Sequence, residues 1–131
     1  MPIDMTVSFP GGKKVAAAFE GFTVVTDQSE KNGGQGSAPE PLDLLFASLA
    51  TCSGALALAF CESRDIDTKG MKLRLHADKG AGSKLFDSVQ LELTLPAGFP
   101  EKYRKAIGRA VDQCAVKKHI EGTLSIATAV V

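Results

Sequence analysis

The stretch Pro41-Leu42-Asp43-Leu44-Leu45-Phe46-Ala47-Ser48-Leu49-Ala50-Thr51-Cys52-Ser53-Gly54-Ala55-Leu56-Ala57-Leu58-Ala59-Phe60-Cys61 decides the fold. From Leu44 onward it carries no charged side chain, and Leu, Ala, Phe, Cys and small polar residues point in every direction around a helix opened by Pro41. A helix that is apolar all round must be surrounded. A membrane span is the rival reading, but five alanines with Ser48, Thr51, Ser53 and Gly54 lower the hydrophobicity, and strand-like segments flank the helix, so a soluble domain is expected. One domain of 131 residues has difficulty wrapping such a helix alone, and a partner subunit on the remaining face is the simplest remedy.

Toward the N-terminus, Met5, Val7 and Phe9 alternate with polar residues before Pro10-Gly11-Gly12, and Val15 to Phe19 follows. Glu20-Gly21 turns the chain into Phe22-Thr23-Val24-Val25-Thr26, which predicts a three-stranded meander. The polar, glycine-rich segment 29–37 reads as a mobile surface loop ended by Pro39 and Pro41.

Beyond the long helix, Leu73 and Leu75 alternate with Lys72, Arg74 and His76, and Val89, Leu91, Leu93 and Leu95 alternate with Ser88, Gln90, Glu92 and Thr94. These predict a hairpin of two half-buried strands. Pro100 opens a second helix with Tyr103, Ala106, Ile107, Ala110, Val111 and Cys114 on one stripe, ending before Gly122. Leu124, Ile126, Thr128 and Val130 alternate as a last strand. The predicted class is α+β with antiparallel pairing, and no repeat or composition shift divides residues 1–131 into more than one domain.

Fifteen basic and fifteen acidic side chains cancel, Trp is absent and there is one Tyr, so neither nucleic acid nor an anionic membrane is an expected partner. The first residues lack the basic flank and apolar run of a signal peptide, so a cytoplasmic, thiol-reducing location is expected. Three cysteines without C-x-x-C spacing argue against a disulfide framework and against structural zinc.

A cysteine nucleophile needs its thiolate, which forms near neutral pH only where a cation, hydrogen-bond donors or a helix N-terminus stabilises it. Burial as a small hydrophobe is the commoner fate of the residue. Cys61 lies nine residues beyond Cys52, on the opposite side of the same helix at about 100° per residue, and reads as packing. Small residues around Cys52 leave room for a substrate or a second sulfur. Lys117 and Lys118, one turn beyond Cys114, read as solvated charges near a helix end. Gly33-Gly34-Gln35-Gly36 lacks the context of a nucleotide-binding loop, His119 faces away from Cys114 on a continuous helix, and His76 has no evident partner.

The run Pro41 to Cys52 resembles the central-helix motif of the OsmC/Ohr family, in which a proline and an acidic residue precede a Leu/Ala-rich segment ending in a peroxidatic cysteine. Val111-Asp112-Gln113-Cys114-Ala115-Val116 resembles the family's second motif, which carries the resolving cysteine. The resemblance implies an OsmC-like fold with antiparallel sheets around two long central helices in an intertwined homodimer. It further implies that Cys52 attacks an organic hydroperoxide, becomes a sulfenic acid and condenses with Cys114 to a disulfide. A dithiol reductant, such as a lipoyl-type group, would reopen that bond, with no metal or organic cofactor.

Two positions depart from the pattern. The family's reductases place a glutamate directly after the motif proline, where this chain has Leu42 with Asp43 one residue later, and an N-terminal arginine, whereas none occurs here before Arg64. Asp43 is therefore a candidate catalytic acid or, equally, a first-turn charge favoured by the helix dipole. The competing function is a non-catalytic small-molecule binding protein of the same fold with vestigial cysteines.

Overall fold

The structure, a computed structural model, describes residues 2–131. They divide into two compact units between Phe46 and Ala47, inside the long helix.

In the first unit, β1 (Thr6–Gly11), β2 (Lys14–Phe19) and β3 (Phe22–Thr26) form an antiparallel sheet in the order β1-β2-β3. Glu20 and Gly21 both have positive φ, 46° and 81°, the primed-turn geometry whose twist suits a two-residue hairpin link. That turn brings Phe19 opposite Phe22, with ring centroids 6.0 Å apart.

The segment after β3 is tied together rather than loose. The Asp27 carboxylate, buried at 1 % exposure, accepts the N–H of Gln28 at 2.8 Å on one oxygen. The other oxygen accepts the Ser37 hydroxyl at 2.6 Å and the N–H groups of Ser37 and Gln35 at 3.1 and 3.3 Å. Led by the Ser37 hydroxyl, these donors hold the Asp27 carboxyl down at about 2. Gly34 fits because a Cβ there would run into the Gln28 carbonyl oxygen. The expectation of a mobile loop overlooked this single buried acid.

Helix α1 (Pro41–Glu62) opens as its sequence dictates. Pro41, lacking an N–H, takes the first helical position, and the Glu40 N–H donates to the Asp43 carboxylate at 3.0 Å, closing the first turn. By length and mean hydropathy, 2.0, α1 could cross a bilayer. Leu49, Ser53, Ala57, Phe60 and Cys61 are its buried residues, whereas Leu42, Leu45 and Leu58 remain 42–49 % exposed.

In the second unit, β4 (Lys72–Lys79) and β5 (Phe86–Thr94) pair antiparallel, with Leu73 opposite Leu93 and Leu75 opposite Leu91. They are followed by α2 (Arg104–Val111) and α3 (Ala115–Glu121). Ala57, Phe60 and Cys61 of α1 meet Ile107 and Val111 of α2 in the core, flanked by Leu93, Leu95 and Phe99. Arg64 places its guanidinium 3.6 Å over the Phe60 ring, which leaves the charge near solvent while its stem covers the core.

Three sequence expectations change. The predicted second helix is two, because the chain leaves the helix at Asp112 and restarts after Cys114. The predicted last strand is not formed: residues 123–131 have no ladder partner among the described residues, and Leu124, Ile126 and Val130 are 64–96 % exposed. His76 does have a partner, Asp78, at 3.0 Å.

Candidate active site

The break between α2 and α3 puts Cys114 in an unusual role. It is the N-cap of α3, with extended backbone (φ −58°, ψ 122°), and its sulfur accepts the N–H of Lys117 at 3.4 Å. The first N–H groups of any helix lack intrahelical acceptors and must find others. Here the Lys117 N–H goes to the sulfur of Cys114 and the N–H groups of Ala115 and Val116 act on the sulfur of Cys52, before the Lys118 N–H starts the ordinary helical ladder on the Cys114 carbonyl at 3.0 Å. Two thiols thus do what a Ser or Asp side chain ordinarily does at this position.

The Cys114 side chain also lies against Cys52, close enough to influence its ionisation. The Cys114 thiol is the largest influence lowering the Cys52 pKa from its ordinary 9.0, followed by the Val116 N–H; partial burial opposes them, and the Ala115 N–H adds to the lowering. Cys52 is partly exposed whereas Cys114 is fully buried. The arrangement is therefore an accessible sulfur surrounded by donors, with a second sulfur that supplies one of them.

Cys61 is the contrast. It is fully buried in the core, 4.0 Å from the Met71 sulfur, and burial raises its pKa. Its place on α1 fits the packing role expected from its spacing to Cys52.

The side chains around α3 are occupied locally. Lys117 pairs with Asp112 at 3.0 Å, which raises the lysine's pKa, and Lys118 donates to the Gln113 side chain at 2.9 Å. The exposed His119 ring contacts the Ala115 carbonyl oxygen at 2.6 Å. The carboxylate of Asp43 serves the Glu40 N–H at the start of α1. Ser53, next to Cys52 in the chain, is fully buried, and its hydroxyl has no hydrogen-bond partner among the described residues. Among the described residues, no group of three or more His, Cys, Asp and Glu side chains is placed to hold a metal ion.

Both sulfurs are visible in the sequence. The groups that act on Cys52 are the Cys114 thiol and main-chain N–H groups, and the latter have no residue type to betray them. Their only trace in the sequence is a cysteine where a helix can restart.

The sequence model of the OsmC-like protein family matches residues 34–129. No curated protein matches the sequence. Among solved structures, a candidate osmotic-stress-induced and detoxification-response protein from Psychrobacter arcticus superposes with a TM-score of 0.73 at 24 % identity, covering 87 % of this chain and 85 % of that one. An OsmC-like protein from Mycoplasma pneumoniae gives 0.72 at 16 % identity over 93 % and 89 % of the two chains. The organic hydroperoxide resistance protein OsmC from Legionella pneumophila gives 0.59 at 16 % identity over 93 % and 90 %. At these identities the likeness is one of fold.

Proposed function

Because this chain belongs to the OsmC-like protein family, we propose that it is a thiol peroxidase that reduces organic hydroperoxides with Cys52 as nucleophile and Cys114 as resolving thiol. What supports this reading is the meeting of the Cys52 and Cys114 side chains, with the Cys114 thiol and the N–H groups of Val116 and Ala115 lowering the Cys52 pKa. The hydroperoxide resistance named for the Legionella pneumophila neighbour supplies the substrate class.

The chemistry follows from where the protons are. The Cys52 thiolate attacks the terminal oxygen of the hydroperoxide; a sulfur–oxygen bond forms, the oxygen–oxygen bond breaks, and the alkoxide leaves. The Cys114 proton neutralises that alkoxide as an alcohol. Cys114, now a thiolate, attacks the sulfur of the Cys52 sulfenic acid, forming the disulfide and releasing hydroxide, which becomes water. Two electrons pass from the thiol pair to the peroxide. A dithiol returns them in two exchange steps and leaves as its own disulfide.

In this proposal no arginine is needed to hold Cys52 ionised. Main-chain donors and the second thiol take that part, and Asp43 acts as the cap of α1 that its bond to Glu40 supports. The working unit is a cytoplasmic homodimer, each chain contributing one OsmC-like domain. The family match spans the boundary between the two compact units, which favours a single domain. A second copy would cover the exposed leucines of α1 and give the alternating segment 124–130 a strand to pair with.

The test is turnover. Protein, cumene hydroperoxide and a lipoyl-type dithiol should consume peroxide and dithiol one for one, and Cys52→Ser should abolish consumption. Peroxide loss no faster than with Cys52→Ser would favour the competing reading, a non-catalytic binding protein.

A further inference from the structure

Helix α3 owes little to packing. None of its residues, Ala115–Glu121, is buried, and Ile120 is 48 % exposed. Its side-chain bonds run back to residues 112–115: Lys117 to Asp112, Lys118 to Gln113, and the His119 ring to the Ala115 carbonyl oxygen. Beyond Glu121 the chain is exposed to its end and has no ladder partner among the described residues. A helix of seven residues is too short to persist by itself in water.

The first turn therefore has to hold it, and there the acceptors are sulfur. The Cys114 sulfur takes the Lys117 N–H at 3.4 Å, and the N–H groups of Ala115 and Val116 act on the Cys52 sulfur. Both sulfurs belong to the thiol pair. When that pair is oxidised, each thiol loses its proton, two electrons pass to the oxidant, and a sulfur–sulfur bond forms. The new bond directs the Cys114 sulfur onto Cys52 rather than onto Lys117. It also ends the charge-assisted acceptance that a Cys52 thiolate offers, because a disulfide sulfur is neutral and a weak acceptor.

We infer that forming the Cys52–Cys114 disulfide uncaps α3 and lets it open, so that the fold carries a redox switch in residues 115–121. This switch rests on the pairing of the two cysteines proposed above. In the reduced protein Cys114 is fully buried, and opening of the helix that it caps uncovers its sulfur. The dithiol then meets an exposed disulfide, and reduction restores the cap and closes the helix.

Hydrogen exchange of the 115–121 amides tests the switch, measured by mass spectrometry on the reduced protein and again after diamide. Diamide takes two electrons and two protons from a thiol pair whether or not the protein acts on peroxides, and peptide mapping identifies the sulfurs joined. Exchange in α3 should accelerate by about two- to thirtyfold, the range for a lost helix cap at about 1.4 kcal/mol per tenfold, while the β2 and β3 amides keep their rates. Reduced Cys114→Ala should exchange like the oxidised wild type. Cys114→Ser keeps a cap oxygen and cannot form the bond, so it should stay slow before and after diamide. A mapped Cys52–Cys114 disulfide with unchanged or slower exchange in α3 would overturn the switch and leave the peroxidase reading standing. Absence of that disulfide at excess diamide would remove both, and acceleration in diamide-treated Cys114→Ser would overturn the switch by assigning the change to something other than the cap.

Discussion

The side chain of Cys114 meets that of Cys52 and leads the influences that lower its pKa, while the Cys114 sulfur takes the N–H of Lys117, so the two cysteines are unequal members of one network. Hydrogen bonds to the charged form of a group favour that form, and with the Cys114 thiol leading they lower the Cys52 pKa. Nucleophilic attack calls for such a lowering.

The first prediction is a pH profile. Alkylation of Cys52 by iodoacetamide should have its midpoint below the ordinary thiol value of 9.0, because a lowered pKa keeps the thiolate populated as the pH falls. Cys114→Ala removes the leading donor and should move the midpoint up; Cys114→Ser keeps a hydroxyl donor and should leave it close to the wild-type position. Identical profiles for the alanine variant and wild type would detach the two sulfurs.

Asp27 sets a second pH dependence. Its folded pKa, about 2, lies below the ordinary 3.8, so the stability it contributes is fully present above about 4 and is lost as the pH falls toward 2. Asp27→Asn should lower the melting temperature at pH 6, and the difference from wild type should shrink as the pH approaches 2. A difference that stays constant across that window would mean that the carboxylate charge is not what holds the segment.

Asp43 offers a way to separate capping from catalysis. Asp43→Ala leaves the Glu40 N–H without its acceptor and should destabilise the protein by about 0.5–2 kcal/mol in denaturant unfolding. The second-order rate of Cys52 oxidation by cumene hydroperoxide should stay within about twofold of wild type, less than 0.5 kcal/mol in barrier. A loss of ten-fold or more at unchanged stability would return Asp43 to the catalytic group.

A charge on the exposed side of α1 tests the assembly. Leu58 is 44 % exposed in the single chain, and in the proposed homodimer a second copy covers it. Leu58→Glu would bury an unpaired carboxylate in that interface and should convert dimer to monomer in sedimentation velocity. A wild-type protein that sediments as a monomer at micromolar concentration would remove the dimer from the account.

Local patterns made much of this fold readable. Pro41 and the uncharged run behind it announced α1, and the alternation of Met5, Val7 and Phe9 with the turn at Glu20-Gly21 announced the meander. The rest depended on partners distant in sequence. The stripe from Tyr103 to Cys114 continues without a glycine or proline at the point where the helix stops, and cysteine is not an ordinary N-cap, so the break at 112–114 left little sign. Alternation at 124–130 says which side chains would share a face, but a strand also needs an edge to pair with, and none lies beside it among the described residues. The cysteine positions were legible, but their meeting and the main-chain donors around Cys52 are matters of tertiary structure.

The most direct measurement is a thiol count on the reduced protein after one equivalent of cumene hydroperoxide, with peptide mapping of the product. The account predicts the loss of two thiols, a single disulfide between Cys52 and Cys114, and Cys61 still free; Cys114→Ser should stop at a trappable sulfenic acid on Cys52. Three free thiols after excess peroxide, or a disulfide that includes Cys61, would contradict it.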